Sequence, residues 1–385
     1  MIYFDNAATT APTGSSQMYY NPSSPHRLGI TAERALRDAR KKMMAILSGV
    51  HETAFARVSN LHRDDGEIVF TSGGTEANNF AIIGFALARA KQGTYLACAP
   101  YEHPSIVAPI NFAAERGWGK SVFFADTSNS DSMENMLTSL ADCNGHVLVL
   151  LSHVNHETGD IVDIRSTAAM IRRINPLATI HIDGAQGFCK EPINLEGIDS
   201  YSFSGHKFHG PLGVGGLWMR KGVKHMPLFH GGGQENGWRS GTENVSGIVQ
   251  MSDTAESLVN TWEENRERVA QIKSVLMSLQ DKLPDVTINA MGKDVSPYIL
   301  NMSFLGVKGE VLVHALSERG VYVSMGAACL SRKRAKTALE LMGFSSHIAG
   351  SAIRFSFSPY NTLADAEAAK KIIIEEVSRF RSMKR

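Results

Sequence analysis

Short, continuously apolar runs alternate along this chain with longer stretches whose apolar residues recur every three to four positions. The short runs are Glu67–Thr71, Thr94–Ala99, Ser121–Ala125, Val147–Ser152, Thr179–Asp183, Ser200–Ser204 and Val214–Met219. Continuous hydrophobicity of this kind belongs to strands buried on both faces, as in a largely parallel sheet covered by helices. Thr31–Leu47 has the helical period. Ala32, Ala35, Leu36, Ala39, Met43, Ile46 and Leu47 share one face, with Arg and Lys opposite. The alternation predicts an α/β fold around a mostly parallel seven-stranded sheet. Ligands of such sheets gather at the carboxyl ends of the strands. Thr71, Asp183 and Ser204 fall at such ends.

From about Gly247 the pattern changes. One long helical stretch through Leu283 leads into short strands at Val286–Asn289, Ile299–Phe304, Val321–Ser324 and Ala352–Phe357, with helices between them. This predicts a smaller α+β domain. Thr362, with Asp365 three residues on, announces the last helix as a capping box, and its buried face would be Leu363, Ala366, Ala369, Ile373, Val377 and Phe380.

Composition narrows the class. With 385 residues the chain is too long for one ordinary core, and 43% hydrophobic with 20% charged residues is globular usage. Lys plus Arg number 39 against 38 Asp plus Glu, which gives no footprint for nucleic acid or an anionic membrane. No apolar run approaches the roughly 20 residues of a membrane span, and Met1–Asn6 has no signal-peptide pattern. The cysteines Cys98, Cys143, Cys189 and Cys329 lack metal-type spacing, so reduced thiols in a cytoplasmic protein are expected.

Candidate chemistry sits at the strand ends. Asp183, in His181-Ile182-Asp183-Gly184-Ala185-Gln186, closes one apolar run, and Lys207, in Ser204-Gly205-His206-Lys207, follows the next. A pyridoxal phosphate enzyme needs this pair: the carboxylate keeps the pyridine nitrogen protonated, and the lysine binds the aldehyde. Gln186 lies three positions beyond Asp183, where one turn brings both toward a ligand. Thr71-Ser72-Gly73-Gly74-Thr75-Glu76 runs from strand to helix through glycines. Its backbone N–H groups make an anion site to which Thr75, Ser204 and His206 can add donors; an ordinary turn capped by Thr75 is the alternative. His103, before Pro104, can stack on a flat ring or move protons, or simply face solvent. Asn155 ends a buried strand, where an amide must be bonded. Arg354, inside the apolar Ala352-Ile353-Arg354-Phe355, calls for an anion: a substrate carboxylate or an internal Asp or Glu. His206 and His209 have metal-like spacing without a carboxylate or thiol nearby, and no metal is expected. Cys329 follows small residues and precedes Arg332-Lys333-Arg334, cations that favour its thiolate. The other cysteines read as inert core.

With these motifs in order, the chain resembles the cysteine desulfurases of the class V aminotransferase group over nearly its whole length. Asp5-Asn6-Ala7-Ala8-Thr9-Thr10, Asn21-Pro22-Ser23-Ser24, Glu102-His103, Asn155-His156-Glu157-Thr158-Gly159, Arg239-Ser240-Gly241-Thr242-Glu243-Asn244 and the Gly-Ala-Ala-Cys loop at Cys329 add to the resemblance. It implies the type I fold of pyridoxal phosphate transferases. The large domain would span 15–256, and the small one would combine 1–14 with 257–385. It also implies a homodimer that takes sulfur from L-cysteine and leaves L-alanine. Lys207 would hold the cofactor, His103 stack on its ring and Asp183 pair with its nitrogen. Asn155 and Gln186 would contact the ring oxygen and substrate. Gly74, Thr75, Ser204 and His206 would bind the phosphate, with Thr242 reaching in from the partner subunit. Arg354 would grip the cysteine carboxylate, and Cys329 would carry a persulfide to a protein acceptor: an iron–sulfur scaffold, a tRNA thiolation enzyme or a sulfur carrier. Selenocysteine lyase or another class V aminotransferase reaction keeps the same cofactor. A non-catalytic sulfur-assembly partner would have no use for Lys207, Asp183, Arg354 and Cys329 together.

Overall fold

The computed structural model describes residues 1–15, 17–49, 65–90, 92–124, 139–141, 143, 145–325 and 336–383. Strand β1 (Ile2–Tyr3) precedes β2 (Gly66–Thr71), β3 (Thr94–Cys98), β4 (Lys120–Phe123), β5 (His146–Ser152), β6 (Thr179–Asp183), β7 (Ser200–Ser204) and β8 (Gly215–Arg220). Among the described residues β2 to β8 form one seven-stranded sheet in the order β2-β8-β7-β6-β5-β3-β4. The neighbours β4, β3, β5, β6 and β7 pair in parallel, whereas β8 runs antiparallel to both β7 and β2. Only residues 205–214 connect β7 to β8. That is shorter than the dozen or more residues of a parallel crossover, so β8 must turn back.

Register puts the polar strand ends on one edge. Ser152 pairs with Asp183, Asp183 with Ser202, and both Thr71 and Ser204 with Gly215. Gly215 and Gly216 make that edge possible. A Cβ on Gly215 would lie 2.7 Å from the Gly73 Cα, and one on Gly216 would lie 2.3 Å from the Phe203 ring. The helix Arg27–Leu47 begins four residues earlier than its apolar period suggests, because the His26 side chain caps Gly29 N. It buries Ala32, Leu36, Ala39, Met43, Ile46 and Leu47 as expected.

The long helix expected through Leu283 is broken into Val245–Asn260, Trp262–Met277 and Leu279–Lys282. Val259, Asn260 and Thr261 are poor helix formers. The Thr261 hydroxyl donates to Ser257 O at 3.1 Å and accepts from Asn265 at 2.8 Å, fixing the break. Beyond it come β9 (Val286–Ile288), β10 (Ile299–Phe304), β11 (Val321–Tyr322) and β12 (Ala352–Ser356). β12-β10-β9 is an antiparallel sheet, and β1 pairs in parallel with β11. A second apolar cluster, with Phe4, Leu300, Met302, Phe355, Ile373 and Val377, is separate from the one beneath the large sheet. The last helix, Leu363–Ser382, has the Thr362–Asp365 capping box. It buries Ala366, Ala369, Ile373 and Val377, but Leu363 is exposed in its first turn. No helix among the described residues is long and apolar enough to cross a membrane.

Candidate active site

A cavity of about 570 Å³ opens at the carboxyl edge of the large sheet, lined among others by Gly74, Thr75, His103, Asp183, Lys207 and Arg354. Lys207 ends a one-turn helix, Gly205–Lys207, directly after β7. Its Nζ donates to the carbonyls of Ala7 and Ala8, each at 2.7 Å, so the N-terminal segment closes one wall. Burial, then the Arg354 guanidinium, push this amine down to about 8, against the opposing pull of Asp183 and Asp5.

Asp183 ends β6 with both carboxylate oxygens engaged from behind. Oδ2 accepts from Asn78 Nδ2 at 2.8 Å, and Oδ1 accepts from Ala185 N at 2.9 Å. Gln186 also lines the cavity; its Nε2 donates to Ala7 O at 2.8 Å and its Oε1 accepts from Lys190 at 3.1 Å. His103 caps the helix Pro104–Glu115, its Nδ1 accepting from Ser105 N at 3.1 Å and meeting the Ser105 hydroxyl at 2.8 Å. Burial holds His103 below its ordinary value, aided by Lys207 and Arg354 and opposed by Asp183. His156 stands edge-on to it, centroids 5.3 Å apart, with neither ring nitrogen hydrogen-bonded among the described residues.

Arg354 meets internal acidic partners, one of the two alternatives its sequence setting left open. Nη2 contacts Asp5 Oδ1 at 3.3 Å, Nη1 donates to His156 O at 2.8 Å, and Glu157 Oε1 lies 3.9 Å from Nη1. Its Nε is buried without a hydrogen-bond partner among the described residues, while the side chain lines the cavity. The internal ion pairs therefore leave one donor unspent.

The glycine turn enters the helix Gly74–Ala88 through Gly73 at φ +154°, a conformation reserved for glycine. Gly73 is the N-cap and no side chain caps the helix, so Thr75 does not serve as its cap. The positive end of the dipole is left for an anion. Ser204 and His206 line the same cavity. Burial, then Lys207 and Lys190, push His206 to about 4, and its Nδ1 meets the Thr9 hydroxyl at 3.2 Å.

Asn155 does not join this group, and Thr242, expected to act in the partner subunit's site, lies outside it. The Asn155 oxygen turns into its own loop, accepting from Glu157 N at 2.8 Å and Thr158 N at 3.1 Å, while its neighbours Val154 and His156 line the cavity. Thr242 is exposed in an adjacent hollow with Glu235 and Arg239. Cys329, with Arg332, Lys333 and Arg334, lies outside the described residues. The remaining cysteines are buried, and burial raises the thiols of Cys98 and Cys189 well above the usual value.

Asn78, Ser105 and Ser202 had no place in the sequence analysis, and Asp5, His156 and Glu102 stood in its motifs without a role. Glu102 accepts from Ser152 N at 3.2 Å and from the Ser152 hydroxyl, and burial lifts it to about 7. The available signal was a polar residue set in an apolar pattern, as with Asn78 in Ala77-Asn78-Asn79-Phe80-Ala81.

A low-pKa amine, a backed carboxylate, a neutral flat imidazole, an uncapped helix end and an arginine with an unspent donor fit a flat, anionic, aldehyde-bearing cofactor and an amino-acid substrate. On this α/β scaffold they define an enzyme of amine–carbonyl chemistry. The class-V aminotransferase family matches residues 2–368. A "NifS/IcsS protein homolog" of Lactobacillus delbrueckii subsp. bulgaricus is 35% identical over 95% of this chain and 94% of its own length. A "Cysteine desulfurase IscS" of Dictyoglomus turgidum is 30% identical over 99% of this chain and 96% of its own. A solved "NIFS-LIKE PROTEIN" superposes with a TM-score of 0.84 at 30% identity, covering 98% of this chain and 99% of that one. The chain belongs to the class-V aminotransferase family, among its NifS/IscS cysteine desulfurases.

Proposed function

We propose that this protein is a cytoplasmic, homodimeric cysteine desulfurase that uses pyridoxal 5'-phosphate to convert L-cysteine to L-alanine. The observation that carries the proposal is the presence of Lys207, Asp183 and Arg354 in one cavity beside an uncapped helix end. Bound there, the cofactor supplies a protonated ring that withdraws electrons from the substrate's α-carbon. Asp183, fixed from behind by Asn78 and Ala185 N, holds the proton at the ring nitrogen. Gln186 faces the ring oxygen in this reading, Asn155 has only its amide nitrogen to offer because its oxygen is held in its own loop, and His103 covers the ring. Gly74, Thr75, Ser204 and His206 hold the phosphate, with Thr242 of the partner subunit.

Arg354 receives the cysteine carboxylate on its guanidinium, which lines the cavity. Lys207 takes the α-proton onto Nζ, for which an amine titrating at about 8 is suited near neutral pH. The Cys329 thiolate then attacks the substrate sulfur. The substrate C–S bond breaks, its electron pair goes to the alanine-forming carbon, and the sulfur stays on Cys329 as a persulfide for an acceptor protein. The test is incubation with L-cysteine, measuring alanine and sulfide with and without reductant. C329A is expected to keep cofactor binding while sulfide release collapses. Failure of the wild type to form alanine overturns the reaction; undiminished release by C329A overturns the persulfide role.

A further inference from the structure

Asn78 is 1% exposed and spends its whole hydrogen-bonding capacity on four side chains from three elements. Its Nδ2 donates to Asp183 Oδ2 and to Ser105 Oγ, both at 2.8 Å. Its Oδ1 accepts from Ser202 Oγ at 2.6 Å and from His181 Nε2 at 3.0 Å. An amide has two protons and two lone pairs, so all four are taken.

That saturation fixes every proton in the chain of contacts. His181 must carry its proton on Nε2, so its Nδ1 accepts from the Ser200 hydroxyl at 2.8 Å. His103 Nδ1 accepts the Ser105 N–H and so carries no proton, which leaves the Ser105 hydroxyl, already accepting from Asn78, to donate to the same nitrogen. His103 is left with its proton on Nε2. Asp183 is held on both oxygens by N–H donors, Asn78 Nδ2 at 2.8 Å and Ala185 N at 2.9 Å, with the Ser202 hydroxyl 3.5 Å from Oδ1.

We infer that Asn78 is a positioning residue for the cofactor: one buried amide aims the Asp183 carboxylate and, through Ser105, sets the His103 imidazole on the opposite arm. The inference rests on the pyridoxal phosphate reading and adds a residue at the cavity wall whose polar atoms are all spent on neighbouring side chains.

The test is cofactor affinity, titrated by absorbance and fluorescence on wild type, N78A, N78D and S202A, with thermal unfolding of each cofactor-free protein as a folding control. In N78A, losing a buried hydrogen bond to a charged group should weaken binding by about tenfold to a hundredfold. N78D is isosteric and sets an introduced carboxyl against Asp183. Two carboxylates at that distance cannot both ionise, so one holds a proton to a raised pH. The other titratable groups facing the position are His181, pushed to about 4 by burial, His103 beyond Ser105, and Glu102, at about 7. N78D should therefore bind almost as wild type in acid, where its carboxyl still donates, and fall below N78A in alkali; the ratio to wild type removes the pH dependence of Lys207 itself. S202A, a small change in the middle of β7, should weaken binding about fivefold by loosening the Asn78 oxygen. It carries the test should the Asn78 variants not fold. Unchanged affinity in S202A, or an N78D-to-wild-type ratio that does not move with pH, overturns the inference while the cofactor reading stands. Wild-type protein that takes up no pyridoxal phosphate overturns both.

Discussion

Lys207 should react with aldehydes near neutral pH, and Arg354 should be part of the reason. Its descent from 10.5 to about 8 corresponds to about 3 kcal/mol of bias against the ammonium form. At pH 7 about a tenth of the amine is then free, about three hundredfold more than an ordinary lysine offers. Burial is the first cause and the Arg354 charge the second, with Asp183 and Asp5 pulling the other way. R354Q removes the cation and also releases Asp5, its partner at 3.3 Å, so both changes push Lys207 upward. The assay is the rate at which cofactor-free protein captures pyridoxal phosphate, from slightly acid to strongly alkaline buffer, with borohydride trapping and peptide mass spectrometry to confirm Lys207. The wild-type midpoint is expected near 8, and the R354Q midpoint above it. A wild-type midpoint near 10.5, or a fall on R354Q, would refute the electrostatic account.

Two further outcomes test the scaffold. Arg40 grips the buried Glu235 carboxylate at 2.6 and 2.9 Å, and Glu235 also accepts from Phe70 N at 2.9 Å. R40A should cost about 3 kcal/mol by orphaning that charge, read as a lowered urea midpoint that E235Q partly restores; a midpoint within error of wild type would sink this assignment. Lys190 is buried against Gln186 and titrates at about 7, lowered by burial and then by Lys207. Because its folded value lies below 10.5, the unfolded chain binds the extra proton, and wild-type stability from this group rises with pH between about 7 and 10.5. K190M should therefore be more stable than wild type in acid, by up to about 5 kcal/mol, with the advantage shrinking in alkali. An advantage that grows with pH would contradict the sign.

Strand ends were legible because an apolar run that stops at a polar residue marks both the strand and its exposed edge. Thr71, Asp183 and Ser204 were found that way, and register brings all three to one edge of the sheet, Asp183 and Ser204 lining the cavity and Thr71 the hollow beside it. Direction was not legible: β8 has the same apolar character as its parallel neighbours, and only the short link from β7 reverses it. The breaks at Thr261 and Ser278 were hidden because the apolar period continues through both. Asn78 was invisible for a related reason. Within an apolar helix one asparagine has no periodic signature, and its role comes from His181, Ser202 and Ser105, which sequence distance conceals. Asn155 was correctly seen as needing a partner, yet its oxygen found that partner in its own turn rather than in the cavity.

The charges around the cavity explain why its cofactor and substrate should both be anionic. Its acidic neighbours are already engaged: Asp183 by Asn78 and Ala185 N, Asp5 by Arg354, and Glu76 by Arg239 at 2.9 Å. His103, His156 and His206 are all held below their ordinary value, first by burial and then by neighbouring groups that include Lys207, so they add little positive charge near neutral pH. What remains for anions is the uncapped end of the helix Gly74–Ala88 and the Arg354 guanidinium, with the Lys207 amine in the same space. A phosphate answers the first and an amino-acid carboxylate the second. Each anion that binds also favours protonation of Lys207, which makes the lysine a stronger base in the loaded cavity than in the empty one. The same residue can thus offer a free amine to an incoming aldehyde and later retain a proton taken from substrate, with the switch driven by the charge of what is bound.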